Sequence, residues 1–180
     1  MEDSESNNVA IGWEAMGSWK EGNTAVDRNI AIGTEAFKGG DIGAGGVNVL
    51  DNIAIGYNAL DAGAIANGNM TGTIAIGSFS LSACSTGIQN TAIGYNTMSE
   101  LTTGDRNVAI GYNSMYQMAG DANDAPDSDD NICIGALAGG GNWVDDAKNT
   151  HNVVIGSNAG DGAWDAATSN VIIGGVCGRA

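Results

Sequence analysis

The sequence predicts an all-β fold: a parallel β-solenoid wound from one short repeat and covered on one side by further copies of itself. Three observations predict it. The motif Asn-x-Ala-Ile-Gly, or a close variant, recurs nine times along 180 residues. The chain carries 29 glycines and a single proline, and residues that cost so much backbone entropy are tolerated best at fixed, repeated points. The residues just before each motif glycine are apolar or small at successive positions, which a strand with one wet face would not be.

The repeat is read from Asn8-Val9-Ala10-Ile11-Gly12, then from Asn29 to Gly33, Asn52 to Gly56, Asn90 to Gly94 and Asn107 to Gly111. Variants run from Thr73 to Gly77, Asn131 to Gly135, Asn152 to Gly156 and Asn170 to Gly174. The intervals vary, with 17 residues from Gly77 to Gly94 and 24 from Gly111 to Gly135. A constant motif with variable spacers describes a fixed scaffold with inserted loops. One repeat domain therefore spans residues 1–180, with nine coils centred on glycines 12, 33, 56, 77, 94, 111, 135, 156 and 174. At about 4.8 Å per coil the rod would be roughly 40 Å long.

Each unit predicts two short strands. The first is the three residues before the glycine, such as Ile53-Ala54-Ile55, which are β-branched or small. The glycine permits a bend, and a second strand is expected after it, followed by a Gly/Asn/Asp/Ser-rich return loop. The apolar stretch is too short and too interrupted for a helix. Side chains alternate between faces along a strand, so Ile32 points one way and Ala31 the other, with Ile11, Ile55, Ile93 and Ile110 equivalent to Ile32. One face can be the inside of the coil. The other needs a cover, and a partner chain is the economical one.

Two further columns carry structural information. The asparagines, stacked in register, are placed to form side-chain amide ladders or to bond turn backbone. The position four residues after the glycine is large in six units (Met16, Phe37, Leu60, Leu81, Met98, Met115) and glycine in three (Gly139, Gly160, Gly178). Those three units replace the motif alanine by Cys133, Val154 and Ile172. In a close-packed interior this trade of volume means the two side chains share one space.

Composition narrows the function. Apolar residues make up 43% of the chain, so it is not disordered. The formal net charge is −15, and the six basic residues are scattered. Such a surface does not neutralise a phosphate backbone, which excludes nucleic acid, and an anionic membrane would repel it. No apolar run approaches the roughly 20 residues of a membrane span. The acidic start, Met1 to Ser6, is unlike a signal peptide. Cys84, Cys133 and Cys177 lack metal-ligand spacing and read as reduced, small hydrophobes, with Cys133 and Cys177 expected to be buried.

Catalytic and metal chemistry finds little footing, so no enzyme activity is expected. Ile11 to Met16 fits the hexapeptide pattern of β-helical acyltransferases, but that fold needs three hexads per coil and here there is one per unit. The one histidine, His151, reads as a polar turn residue. The longest spacer holds Asp121, Asp124, Asp127, Asp129 and Asp130, a candidate calcium site weighed against a plain solvated acidic loop. No other cofactor is expected. Trp13, Tyr57, Tyr95 and Tyr112 follow motif glycines, where packing is favoured over sugar stacking. Trp19, Trp143 and Trp164 sit in spacers and are the receptor-binding candidates, because they offer rigid contact area on loops.

The Asn-x-Ala-Ile-Gly-x-x-Ala unit resembles the head repeat of trimeric autotransporter adhesins, the YadA-like head. The loop-bearing form, as in Thr103-Gly-Asp-Arg-Asn-Val-Ala-Ile-Gly-Tyr-Asn-Ser, is similar to repeats of phage tail fibres and spikes. The resemblance implies a left-handed β-roll with three chains around one axis, a homotrimer. The adhesins carry a signal peptide, a stalk and a membrane barrel that this sequence does not show, and its spacers are longer. Those departures point to a virion component: a fibre, spike or surface decoration, with other virion proteins and a host-surface glycan or protein as partners. The alternative is the head of an adhesin on a bacterial surface.

Overall fold

The computed structural model describes residues 7–17, 25–39, 48–61, 69–117, 128–141, 149–162 and 167–178. Every motif contributes a three-residue strand. These are β1 (Val9–Ile11), β3 (Ile30–Ile32), β5 (Ile53–Ile55), β7 (Ile74–Ile76), β8 (Thr91–Ile93), β9 (Val108–Ile110), β10 (Ile132–Ile134), β11 (Val153–Ile155) and β12 (Val171–Ile173). They form one nine-stranded parallel sheet in that order. Register follows the repeat, with Ala10 beside Ala31, Ala31 beside Ala54 and Val154 beside Ile172. A smaller parallel sheet joins β2 (Ala25–Asp27), β4 (Asn48–Leu50) and β6 (Met70–Thr71). The chain is thus a parallel β-solenoid.

The strand expected after each glycine is not formed; the second sheet instead precedes the asparagine. The residues after the glycine turn, because the second and fourth of them take left-handed backbone angles, as at Glu35 (φ 55°) and Phe37 (φ 48°). Their N–H groups bond to the coils on either side: Glu35 donates to the Trp13 carbonyl and Phe37 to the Ala59 carbonyl, both at 2.8 Å. Left-handed angles cost about 1–2 kcal/mol for an L-residue. Fully burying a side chain such as Phe37, Leu60, Leu81 or Met98 returns about 1.5–3 kcal/mol, so burial wins at the fourth position. At the second, Asn58, Asn96, Asn113 and Asn158 take the same angles, and asparagine enters that region readily.

The motif glycine is required twice over. Its φ lies near +134° at Gly12 and Gly33, where side chains are strained. A Cβ on Gly33 would also sit 2.6 Å from the Gly56 carbonyl oxygen of the next coil.

The motif alanines face inward. Ala31, Ala54, Ala75, Ala92 and Ala109 are fully buried, as are Cys133 and Val154. They pack with the small residues after the glycine and with the large fourth-position side chains. Buried hydroxyls in the small column are bonded to the next coil: Thr97 donates to the Gly111 carbonyl at 2.8 Å and Ser114 to the Cys133 carbonyl at 3.0 Å. The volume trade is visible directly, since a Cβ on Gly178 would lie 2.8 Å from Ile172 Cδ1.

A second trade explains Cys84 and Leu101. Val26, Val49 and Met70, on the smaller sheet, fill the core beside the asparagines. In the short coils that position is Gly87 or Gly104, and Cys84 Sγ and Leu101 Cδ1 lie 3.1 and 3.0 Å from where their Cβ atoms would be. The core stays filled although the spacer has shortened.

The asparagine column is a buried polar spine. Asn29 Oδ1 accepts from both the backbone N–H and the Nδ2 of Asn52, each at 3.0 Å. Asn29 Nδ2 donates to Asn8 Oδ1 at 3.1 Å and to the Val49 carbonyl at 2.8 Å. The pattern repeats from Asn90 through Asn107, Asn131 and Asn152 to Asn170. Thr73 keeps its backbone bond to Asn52 Oδ1 at 2.9 Å and turns its hydroxyl to the Gly87 carbonyl.

Candidate assembly and recognition surfaces

Because the alanines point inward, the residues flanking them point outward. One outward column holds Ile11, Ile32, Ile55, Ile76, Ile93, Ile110, Ile134, Ile155 and Ile173. The other holds Val9, Ile30, Ile53, Ile74, Thr91, Val108, Ile132, Val153 and Val171. No charge interrupts the two columns across nine strands, in a chain of formal charge −15. Their central members are about one-third exposed, at 36% for Ile32, Ile93 and Ile110. Apart from Thr91 the face is apolar, which makes it the candidate interaction surface of the described residues.

An aromatic row runs beside it. Tyr57, Phe79, Tyr95 and Tyr112 come from successive coils. The first two contacts are edge-to-face, at 5.3 and 6.0 Å between ring centroids, and Tyr95 stacks on Tyr112 at 5.8 Å. The tyrosines remain about half exposed. The row therefore packs on itself and leaves an apolar flank exposed beside the sheet. Phe79, one residue further from its glycine than the tyrosines, was not among the aromatic candidates; the left-handed angle of that position swings its ring into line.

Charged side chains gather at the corners. Lys38 Nζ pairs with Glu35 at 2.9 Å and with Glu14, and lies 5.9 Å from the centre of the Trp13 ring. Its pKa is raised, first by the hydrogen bond to Glu14. Asp61 nearby is pushed up by burial against the lowering effect of Lys38. In the column just before the asparagines, Arg28 grips Asp51 through Nε and Nη2 at 2.7 and 2.8 Å. Arg106 holds Asp130 in the same way, at 2.7 and 2.9 Å. Hydrogen bonds from Arg28 and Arg106 hold Asp51 and Asp130 below the usual carboxylate range. These clamps were not foreseen, although Arg28 and Asp51, like Arg106 and Asp130, occupy equivalent positions of adjacent repeats.

Of the calcium candidates, Asp129 and Asp130 are described. Asp129 Oδ1 accepts from the Asp105 N–H at 2.8 Å, and Asp130 belongs to Arg106. A calcium ion there would compete with a guanidinium. Asp121, Asp124 and Asp127 lie outside the described residues, as do Trp19, Trp143 and Trp164. His151 is exposed, with Nε2 3.8 Å from Asp130 Oδ2.

The three cysteines are free. Cys84 and Cys133 are fully buried; burial pushes the Cys84 thiol up to about 12 and raises that of Cys133 as well. Cys177 departs from expectation. It is half-buried, because it belongs to the last coil and nothing stacks beyond it among the described residues. No known protein family, characterised protein or solved structure matches the chain.

Proposed function

We propose that the chain is a structural and adhesive rod: a left-handed β-roll of nine coils, three copies of which pack around one axis. It would serve in a phage fibre, spike or surface decoration, joined to other virion proteins. The observation that carries this reading is the outward face of the nine-stranded sheet. It has an isoleucine on every strand and no charge, and a solvated face would alternate with polar residues. The number three and the virion setting rest on the resemblance of the repeat to fibre and adhesin heads.

Hydrogen bonds and packing occupy the motif columns, so recognition falls to the spacers. The spacer tryptophans, Trp19, Trp143 and Trp164, are the residues proposed to hold a host-surface glycan or protein. The acidic spacers would supply charge and solubility. The test is binding of the purified chain to glycan arrays and bacterial cells, with each tryptophan replaced by alanine in turn. Weakened binding at unchanged assembly mass supports the reading. Normal binding by all three variants sinks it.

A further inference from the structure

The aromatic row changes in chemistry along its length as well as in packing. Tyr57, Phe79, Tyr95 and Tyr112 follow one another on successive coils, but only Tyr95 and Tyr112 are neighbouring phenols. Their rings are nearly parallel, with 12° between planes and 5.8 Å between centroids. Tyr57 meets the Phe79 ring edge-on at 89°, and Phe79 has no hydroxyl. Tyr116, the remaining tyrosine, is in no ring contact among the described residues.

The backbone fixes the pair. Tyr95 and Tyr112 each directly follow a motif glycine, so they hold the same position on adjacent coils. On one side the Gly111 N–H donates to the Ile93 carbonyl at 2.8 Å, and on the other the Asn113 N–H donates to the Tyr95 carbonyl at 3.0 Å. Chains bonded in this way run about 4.8 Å apart. The two residues are 51% and 54% exposed, open to a small reagent from solvent.

We propose that Tyr95 and Tyr112 form an oxidative cross-linking site, which a one-electron oxidant of phenols converts into a dityrosine staple between their coils. Each phenol gives one electron to the oxidant and its hydroxyl proton to water. The two phenoxyl radicals join through a carbon–carbon bond between ring positions ortho to the oxygens. A proton then moves from each joined carbon to its ring's oxygen, and both rings are aromatic again. The chain loses two hydrogen atoms in all; with a peroxide as terminal acceptor, those electrons and protons reduce it to water.

Proximity selects the partners. A radical formed on either ring has the other beside it, and two reactants held side by side react as if far more concentrated than two free ones. Half-exposed rings have room to rotate about their side-chain bonds until the facing ortho carbons meet. The staple closes the short coil from Tyr95 to Tyr112, every residue of which is described. Closing a loop covalently restricts the unfolded chain more than the folded one, so the staple holds these coils against unfolding. Only the fold of one chain is needed, so the inference is independent of the proposed assembly.

The test is photo-oxidation of the native chain by a ruthenium tris-bipyridyl complex with persulfate, followed by a denaturing gel and peptide mass spectrometry of the single-chain band. That band should lose two hydrogen atoms, gain dityrosine fluorescence and yield a joined peptide pair carrying Tyr95 and Tyr112, and its urea midpoint should rise. Tyr95→Phe and Tyr112→Phe keep a ring in the row, as Phe79 does, and each should abolish the pair. Tyr57→Phe should leave its yield unchanged. Oxidation of the wild type in urea should scatter coupling among all the tyrosines, a comparison that needs no variant to fold. Absence of the joined pair from the native chain, an equal yield from the unfolded chain, single-chain dityrosine that persists in Tyr112→Phe, or a midpoint that fails to rise would each overturn the proposal.

Discussion

Replacing Asn29 by alanine should be among the most damaging single changes in the chain, far beyond what the lost side chain suggests. Asn29 is fully buried and makes four side-chain hydrogen bonds. The Asn8 Oδ1 it contacts keeps the backbone N–H of residue 29 at 2.8 Å, so little is lost there. The Asn52 N–H, however, loses its acceptor at Asn29 Oδ1, and the Val49 carbonyl loses the Asn29 Nδ2 donor. Two buried backbone groups deprived of a partner cost about 1–3 kcal/mol each, about 2–6 kcal/mol together, against a typical stability of about 5–15 kcal/mol. Asn170→Ala is the control. Asn170 is exposed and its side chain donates only to Asn152 Oδ1, which keeps a backbone donor at 3.0 Å. That loss should stay near the ordinary value of about 0.5–1.5 kcal/mol. Urea unfolding of both variants beside the wild type gives the comparison. Equal destabilisation, or a cost below about 1 kcal/mol at Asn29, would refute the account of the spine as a set of obligatory buried bonds.

Three more predictions follow from the packing and the charges. Ala109→Val should overpack by about 1–3 kcal/mol and Met115→Gly should cost about 2–5 kcal/mol, but the double variant should cost less than the sum by about 1 kcal/mol or more in a double-mutant cycle; strict additivity would mean that the two columns do not share space. Toward acid the protein should lose stability. Asp51 and Asp130 have folded pKa values below their unfolded ones, so their contribution is present above about pH 4 and lost as pH falls through the folded values. Asp61, raised by burial, opposes the trend as it protonates; Arg106→Gln should flatten the acid limb of a midpoint-against-pH curve, and an unchanged limb would dissociate the clamp from acid stability. Thiol labelling of the native chain should modify Cys177 first, with Cys84 and Cys133 reacting only on unfolding; early reaction at Cys84 would place the short coils wrongly.

The solenoid was legible because its period is written in strict positions. Nine copies of Ala-Ile-Gly or its variants fix strand, bend and register at once, and the trade between Ile172 and Gly178 could be read as shared space before any contact was seen. The backbone after the glycine was not legible. Glu14-Ala15-Met16 and Phe79-Ser80-Leu81 look like strand residues, and only the alternation of left-handed angles, held by bonds to coils on both sides, turns them into a corner. Cys84 and Leu101 were equally opaque, because each fills a space vacated by a glycine three residues later, and the trade appears only once the short spacer is folded. The arginine clamps needed the column before the asparagines to be compared between neighbouring repeats. Among the surface candidates, the apolar face was deduced from strand alternation alone.

The central claim is that the outward isoleucine face is buried between copies of the chain. Light scattering behind gel filtration tests it most directly, applied to the wild type and to Ile93→Asp. Ile93 is 36% exposed in the single chain, so the single chain can hold a carboxylate there in contact with water, whereas an interface cannot without a large penalty. The account predicts that the side-by-side unit of the wild type has the mass of three chains of 18.1 kDa, and that Ile93→Asp keeps its β circular dichroism while that unit falls to one chain. A wild type that is folded and monomeric, or an Ile93→Asp variant that assembles like the wild type, would contradict it.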